Sequence, residues 1–212
     1  MMKTAWKILR ETRRPLLYLN IVYFGLVFAG MLVAWFNRSM QAEMLAAAGA
    51  GWEEGFLAAV GSAYIQGGIL KAAVLTFLIN LAVGCFLSIT LPSLIIPFSG
   101  LLVGGLRALV WGIMFSPASL DVSAASLASG TLLALLLFLE GQGYILAMLA
   151  AFDQGRALIT PAAIQETRRG KAYIKGLTRS LKLYLLVAGM LLGAAVYEAL
   201  IGIVLLPILG TT

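Results

Sequence analysis

Five apolar runs divide this chain, at residues 15–36, 70–91, 98–115, 123–152 and 181–206, each 18 residues or longer and carrying no more than two charges. A hydrocarbon core ~30 Å thick takes about 20 helical residues to cross. Inside lipid a backbone must satisfy its own hydrogen bonds, so such runs fold as helices packed on one another. The expected fold class is therefore all-α: a polytopic transmembrane helical bundle of about five spans, forming one integral membrane domain over residues 1–212. Composition points the same way. The chain is 61% hydrophobic and 11% charged, against roughly 45–50% and about 25% in soluble domains. The first run is too long for a signal peptide and lacks a small-residue cleavage site, so it is expected to remain as the first span.

The second and third runs are separated only by Pro92-Ser-Leu-Ile-Ile-Pro97. Two prolines there disfavour a continuous helix and predict a tight hairpin, with a re-entrant dip as the alternative. Orientation follows from the basic residues. Lys3, Lys7, Arg10, Arg13 and Arg14 precede the first span, and Arg156, Arg168, Arg169, Lys171, Lys175, Arg179 and Lys182 precede the last; together they are twelve of the fifteen. Five spans put both clusters on one side, which predicts a cytoplasmic N-terminus and an external C-terminus in the cell membrane. The formal charge of +6 then reads as a topology signal and an attraction to anionic headgroups at the inner face, not as a nucleic-acid footprint.

Two connections are expected to have structure of their own. Residues 37–69 form an outer segment of one or two amphipathic interfacial helices, with Trp52, Phe56 and Tyr64 as its aromatic surface. The inner basic segment, residues 153–180, contains a short helix opened by Thr160-Pro161 and closed at Gly170. Beyond it, Lys171, Lys175, Arg179 and Lys182 share one stripe, and Tyr173, Ile174, Leu177 and Leu181 another. This is either a membrane-surface lead-in to the last span or a partner-docking surface. The outer loop between the third and fourth runs holds Asp121.

Charges within a span need a reason, since each costs ~2.5–3.5 kcal/mol at the bilayer centre. Arg107 lies ~14 Å from the inner end of its span and Glu140 ~18 Å from the inner end of the next, at ~1.5 Å per residue. An ion pair satisfies both, and a transport or proton-handling role is the functional alternative. Asn80 is expected to bond across helices. Tyr144 lies one turn after Glu140 on the same face, and Glu198, in the outer half of the last span, is placed to meet water, a partner or Arg107. Gly100 with Gly104, and Gly189 with Gly193, have the spacing of close helix contacts, within the bundle or in a homodimer.

The absent motifs narrow the chemistry. The chain has no histidine and one cysteine, Cys85, so no intrachain disulfide forms and the commonest metal ligand and general base is missing. No phosphate-binding lysine loop, nucleophile elbow or zinc-ligand spacing occurs. Neither an enzyme nor a cofactor or metal site is expected.

The order of features over residues 70–207 resembles the stage II sporulation protein M family of bacterial and archaeal membrane proteins. The resemblance rests on Asn80 in Phe77-Leu-Ile-Asn80-Leu-Ala-Val-Gly84, on Pro97-Phe-Ser-Gly100-Leu-Leu-Val-Gly104, and on Glu140 in Leu139-Glu140-Gly-Gln-Gly-Tyr144. Tyr197-Glu198-Ala199 followed by Pro207 completes it. The chain departs from the family in lacking the His-Gly pair before the membrane glutamate and in having Ser99-Gly100 where asparagine-glycine is usual. The resemblance implies a non-enzymatic membrane scaffold or assembly subunit, as a homodimer or within a larger complex. The residues alone support a second expectation, a small transporter or permease subunit with a midplane polar site.

Overall fold

A computed structural model describes residues 2–54, 57–119 and 124–209. Phe56, Asp121 and the C-terminal Thr211 lie outside them. The described chain is an α-helical bundle with no strand. An N-terminal helix, α1 (Met2–Glu11), leads into α2 (Arg13–Phe36), followed by α3 (Arg38–Glu53) and α4 (Ala58–Ile65). Then come α5 (Ile69–Ile79), which continues as a π-helical stretch (Asn80–Thr90) into α6 (Leu91–Ile95), and α7 (Ser99–Met114). The last two long helices are α8 (Ala124–Ile159) and α9 (Arg169–Leu200), the latter continuing through a second π stretch (Ile201–Leu205) into α10 (Leu206–Ile208).

Among the described residues, four helical stretches are long and apolar enough to cross a membrane: Arg13–Phe36, Ile69–Ile95, Ala125–Ile159 and Arg169–Ile208. The third expected span is α7, with 16 residues, or about 24 Å, short of a full hydrocarbon core. Both its ends are fixed by side chains. Ser93 Oγ accepts from the Gly100 amide at 2.7 Å, and Gln41 of α3 donates to the Ser116 carbonyl at 2.8 Å.

Prolines shape the two π stretches. Each ends two residues before a proline, Thr90 before Pro92 and Leu205 before Pro207. A proline has no N–H for the carbonyl four residues back and its ring crowds that carbonyl. Widening to the five-residue register relieves the crowding and lets the helix run on, with Leu91 N–H bonded to Phe86 C=O. The helix therefore passes Pro92 and turns only after Ile95, where Ile96 is extended and Phe98 left-handed (φ 69°). The Phe98 ring packs on Phe152, with centroids 5.8 Å apart, in space that Gly155 leaves open.

Contacts set the register of the bundle. Leu26 and Val27 of α2 meet Gly105 and Gly112 of α7 in turn, so these helices run parallel. Helix α8 runs antiparallel to α9, with Gly143 against Leu191, Ser180 bonded to the Ala150 carbonyl and Gly176 against Gln154. Small residues make the close approaches, though not all those the sequence indicated. Gly100 packs on the backbone at Ile89 and Gly104 on Met148. Gly189 and Gly193, by contrast, face open space. Further close approaches are Gly30 with Gly112, between α2 and α7, and Ala172, Gly176 and Ser180 against α8. Spacing alone does not tell which face of a helix turns inward. A Cβ at Gly112 would collide with the Val27 backbone, so Gly112→Val is expected to cost about 1–3 kcal/mol through overpacking. Gly189→Val should leave thermal unfolding of the detergent-purified protein unchanged.

The inner basic segment also differs from expectation. Pro161–Ile164 forms only a short 3-10 turn, closed by left-handed Gln165 (φ 59°). Gly170 opens a helix instead of ending one, because α9 begins at Arg169 and runs unbroken into the apolar part. The basic stripe therefore belongs to the same helix as the last span, in place of a separate lead-in. The N-terminal arm, legible in the sequence only as charge, is an amphipathic helix. Ala5 and Ile8 are buried while Lys3, Lys7 and Arg10 are exposed. Helix α1 packs on α9, and Glu11 pairs with Arg179 at 3.0 Å.

Candidate functional site

The polar residues of the apolar helices meet at one level of the bundle. Asn80 opens the first π stretch, Arg107 sits mid-way along α7, Glu140 and Tyr144 are one turn apart on α8, and Glu198 lies near the end of α9. Antiparallel packing of α7 on α8 brings Arg107 to Tyr144, and Gly84 makes the space. A Cβ at Gly84 would stand 3.1 Å from the Tyr144 ring and 3.4 Å from Arg107 Nη1.

Arg107 and Glu140 form no direct ion pair; a relay joins them. Arg107 Nη2 donates to the Tyr144 hydroxyl at 2.7 Å. That hydroxyl donates to Asn80 Oδ1 at 2.8 Å, and Asn80 Nδ2 donates to Glu140 Oε1 at 2.7 Å. Equal depth fixed the level of the two charges but not their azimuth around the helices. The guanidinium is also held by ring faces, 4.1 Å from the Tyr144 centroid and 5.5 Å from that of Trp111, a favourable setting for a cation in a dry site.

The relay leaves chemistry unfinished at its acidic end. Glu140 is 1% exposed and comes within hydrogen-bonding reach of the Glu198 carboxyl. Neither Glu140 Oε2 nor Glu198 Oε2 receives a donor, and Arg107 Nε has no acceptor. Two ionised carboxylates cannot bond each other, and such a pair is stable only with a proton or another positive charge between them. The Tyr64 hydroxyl lies 3.3 Å from Thr76 Oγ1, and the Tyr64 ring packs on Gly202. Tyr64 thus packs into the bundle and is not part of an exposed aromatic surface.

A cavity of about 410 Å³ opens onto these groups. Asn80, Arg107, Glu140 and Glu198 form its polar side, with Thr76 beside them. Its apolar walls come from Leu57, Val60, Ile79, Trp111, Phe115 and Leu136 among others, and Ala47, Ala48 and Gly51 of α3 lie at its edge. No protein-family model, curated protein or solved structure matches this chain. The site must therefore be read from its own chemistry. No group of three or more potential metal ligands occurs among the described residues. Cys85 is buried and is not among the residues that line the cavity.

Sequence reasoning missed Tyr64, Thr76 and Trp111 as parts of the site. A signal existed for Trp111, one helical turn after Arg107 on the same face. None existed for Tyr64, whose direction depends on the turn at Gln66–Gly68, where Gly67 adopts a left-handed φ of 69°.

Proposed function

We propose that this protein is a membrane-embedded carrier or permease subunit that binds a positively charged species at Glu140 and Glu198. One observation carries the reading: a carboxyl group 1% exposed, with an oxygen lacking any donor, stands in the wall of a cavity large enough for a small molecule. A charge that serves only to hold helices together is satisfied by its neighbours, whereas an unsatisfied intramembrane carboxyl marks a pathway or a binding site. In this reading the four long helices and the shorter α7 all cross the cell membrane. The N-terminus is cytoplasmic and the C-terminus external, and the basic faces of α1 and α9 lie against anionic headgroups.

The sequence resemblance supports a second reading, a scaffold that acts through its surfaces. One feature favours it: the face of α9 bearing Gly189 and Gly193 is open and has the spacing at which a second helix packs closely. Reconstitution separates the two. Liposomes containing the protein are expected to dissipate an imposed pH or organic-cation gradient faster than empty liposomes, and Arg168→Gln with Lys171→Gln should leave that rate unchanged. No acceleration, together with loss of the cellular role in the surface variant, would favour the scaffold.

A further inference from the structure

We infer that the central cavity binds a monovalent organic cation, an ammonium group carried on an apolar body; this rests on the carrier reading and names its substrate class. The charge count comes first. Among the described residues lining the cavity only Arg107, Glu140 and Glu198 carry charge, so with both carboxyls ionised the site is short of one positive charge. The shortfall is located at the two Oε2 atoms that no donor reaches. Arg107 does not fill it, since its Nη2 is engaged by Tyr144 and its face by the Tyr144 ring.

Size and lining select the kind of cation. The volume of about 410 Å³ falls in the range of small-molecule sites, roughly 300–1,000 Å³, and far exceeds the ~30 Å³ share of one water. A hard cation such as calcium or magnesium also takes about six or more oxygen ligands, and the side chains of the cavity wall beyond the carboxyls, Asn80, Thr76 and the cationic Arg107 are hydrocarbon and aromatic. Trp111 and Phe115, with ring centroids 5.4 Å apart, both line it. Aromatic faces attract organic cations, and the Leu57, Val60, Ile79 and Leu136 side chains suit an apolar body. An ammonium group seated beside the two carboxyls supplies the missing positive charge while its substituent fills the apolar part.

Isothermal titration of the full-length protein in detergent tests the inference with three probes of one shape: protonated phenethylamine, phenethyl alcohol and phenylacetate. The amine is expected to bind about tenfold or more tightly than either of the others, the value of one charge-assisted contact. This comparison uses wild-type protein, so it does not depend on a variant that folds. Glu198→Gln should weaken amine binding by a similar factor, and Trp111→Leu should weaken it with both carboxyls intact. Equal binding of alcohol and amine, or binding of sodium as tight as that of the amine, would overturn the inference. Gradient dissipation that depends on Glu140 without amine binding would also overturn it and leave the carrier reading standing. Charge-selective amine binding in a protein that moves nothing across liposomes would do the reverse.

Discussion

Glu140→Gln is expected to reduce transport in reconstituted liposomes by roughly tenfold to a hundredfold while the protein still folds and inserts. The amide is nearly isosteric, and its oxygen can still accept from Asn80 Nδ2, now 2.7 Å from Oε1, so the relay to Arg107 survives. What is lost is the charge that faces Glu198 and the cavity. A charge-assisted contact is worth about 1.5–3 kcal/mol, one to two decades in binding. Thermal unfolding in detergent should change little, because replacing one of two adjoining carboxyls also removes their mutual repulsion. Unchanged transport, measured as the rate of gradient dissipation per reconstituted protein, would remove Glu140 from the mechanism. A protein that no longer folds would show that its charge serves the bundle instead.

The second large effect is expected far from the cavity, at the end of the bundle where α1, α8 and α9 meet. Asp153 is fully buried and holds two arginines, Arg179 Nε at 2.6 Å and Arg156 Nη2 at 2.8 Å, while Arg179 reaches on to Glu11 at 3.0 Å. Asp153→Asn removes the only buried negative charge of that group and leaves both guanidinium groups without it. Breaking a fully buried pair costs about 3–5 kcal/mol; since both arginines keep some solvent contact, roughly 2–3 kcal/mol is expected here. Adding Arg179→Gln to Asp153→Asn should cost less than the sum of the single changes, because the two side chains share one interaction. Strict additivity in a double-mutant cycle of thermal stability would mean that the pair contributes nothing. Lys3→Gln, on the exposed side of α1, serves as the neutral control.

These two clusters differ in how far the sequence announces them. Asn80, Arg107, Glu140 and Glu198 stand out because each is polar inside an apolar run, where an unexplained charge is costly. The depth of Arg107 and Glu140 follows from the helical rise, so their standing at one level was legible. Their partners were not. Rotation of α7 and α8 about their own axes decides whether Arg107 meets Glu140 or Tyr144, and that rotation is set by Gly84 and by the seam of Gly30 on Gly112. The Asp153 cluster was legible only as an excess of basic residues, because Glu11 and Arg179 come together through the docking of α1.

The sequence by itself determined the helical class, the positions of the apolar helices and the identity of the intramembrane polar residues. Those follow from local quantities: run length against hydrocarbon thickness, and the cost of each polar group in lipid. Tertiary structure alone decided that Arg107 and Glu140 communicate through Tyr144 and Asn80, that Tyr64 turns inward to Thr76, and that a cavity remains beside two donor-less carboxyl oxygens. It also decided which glycines touch a neighbour and which face open space. Each of these depends on the rotation and close approach of helices distant in sequence. A periodic pattern does not encode them, because the same spacing of small residues serves a packed seam at Gly100 and Gly104 and an open face at Gly189 and Gly193.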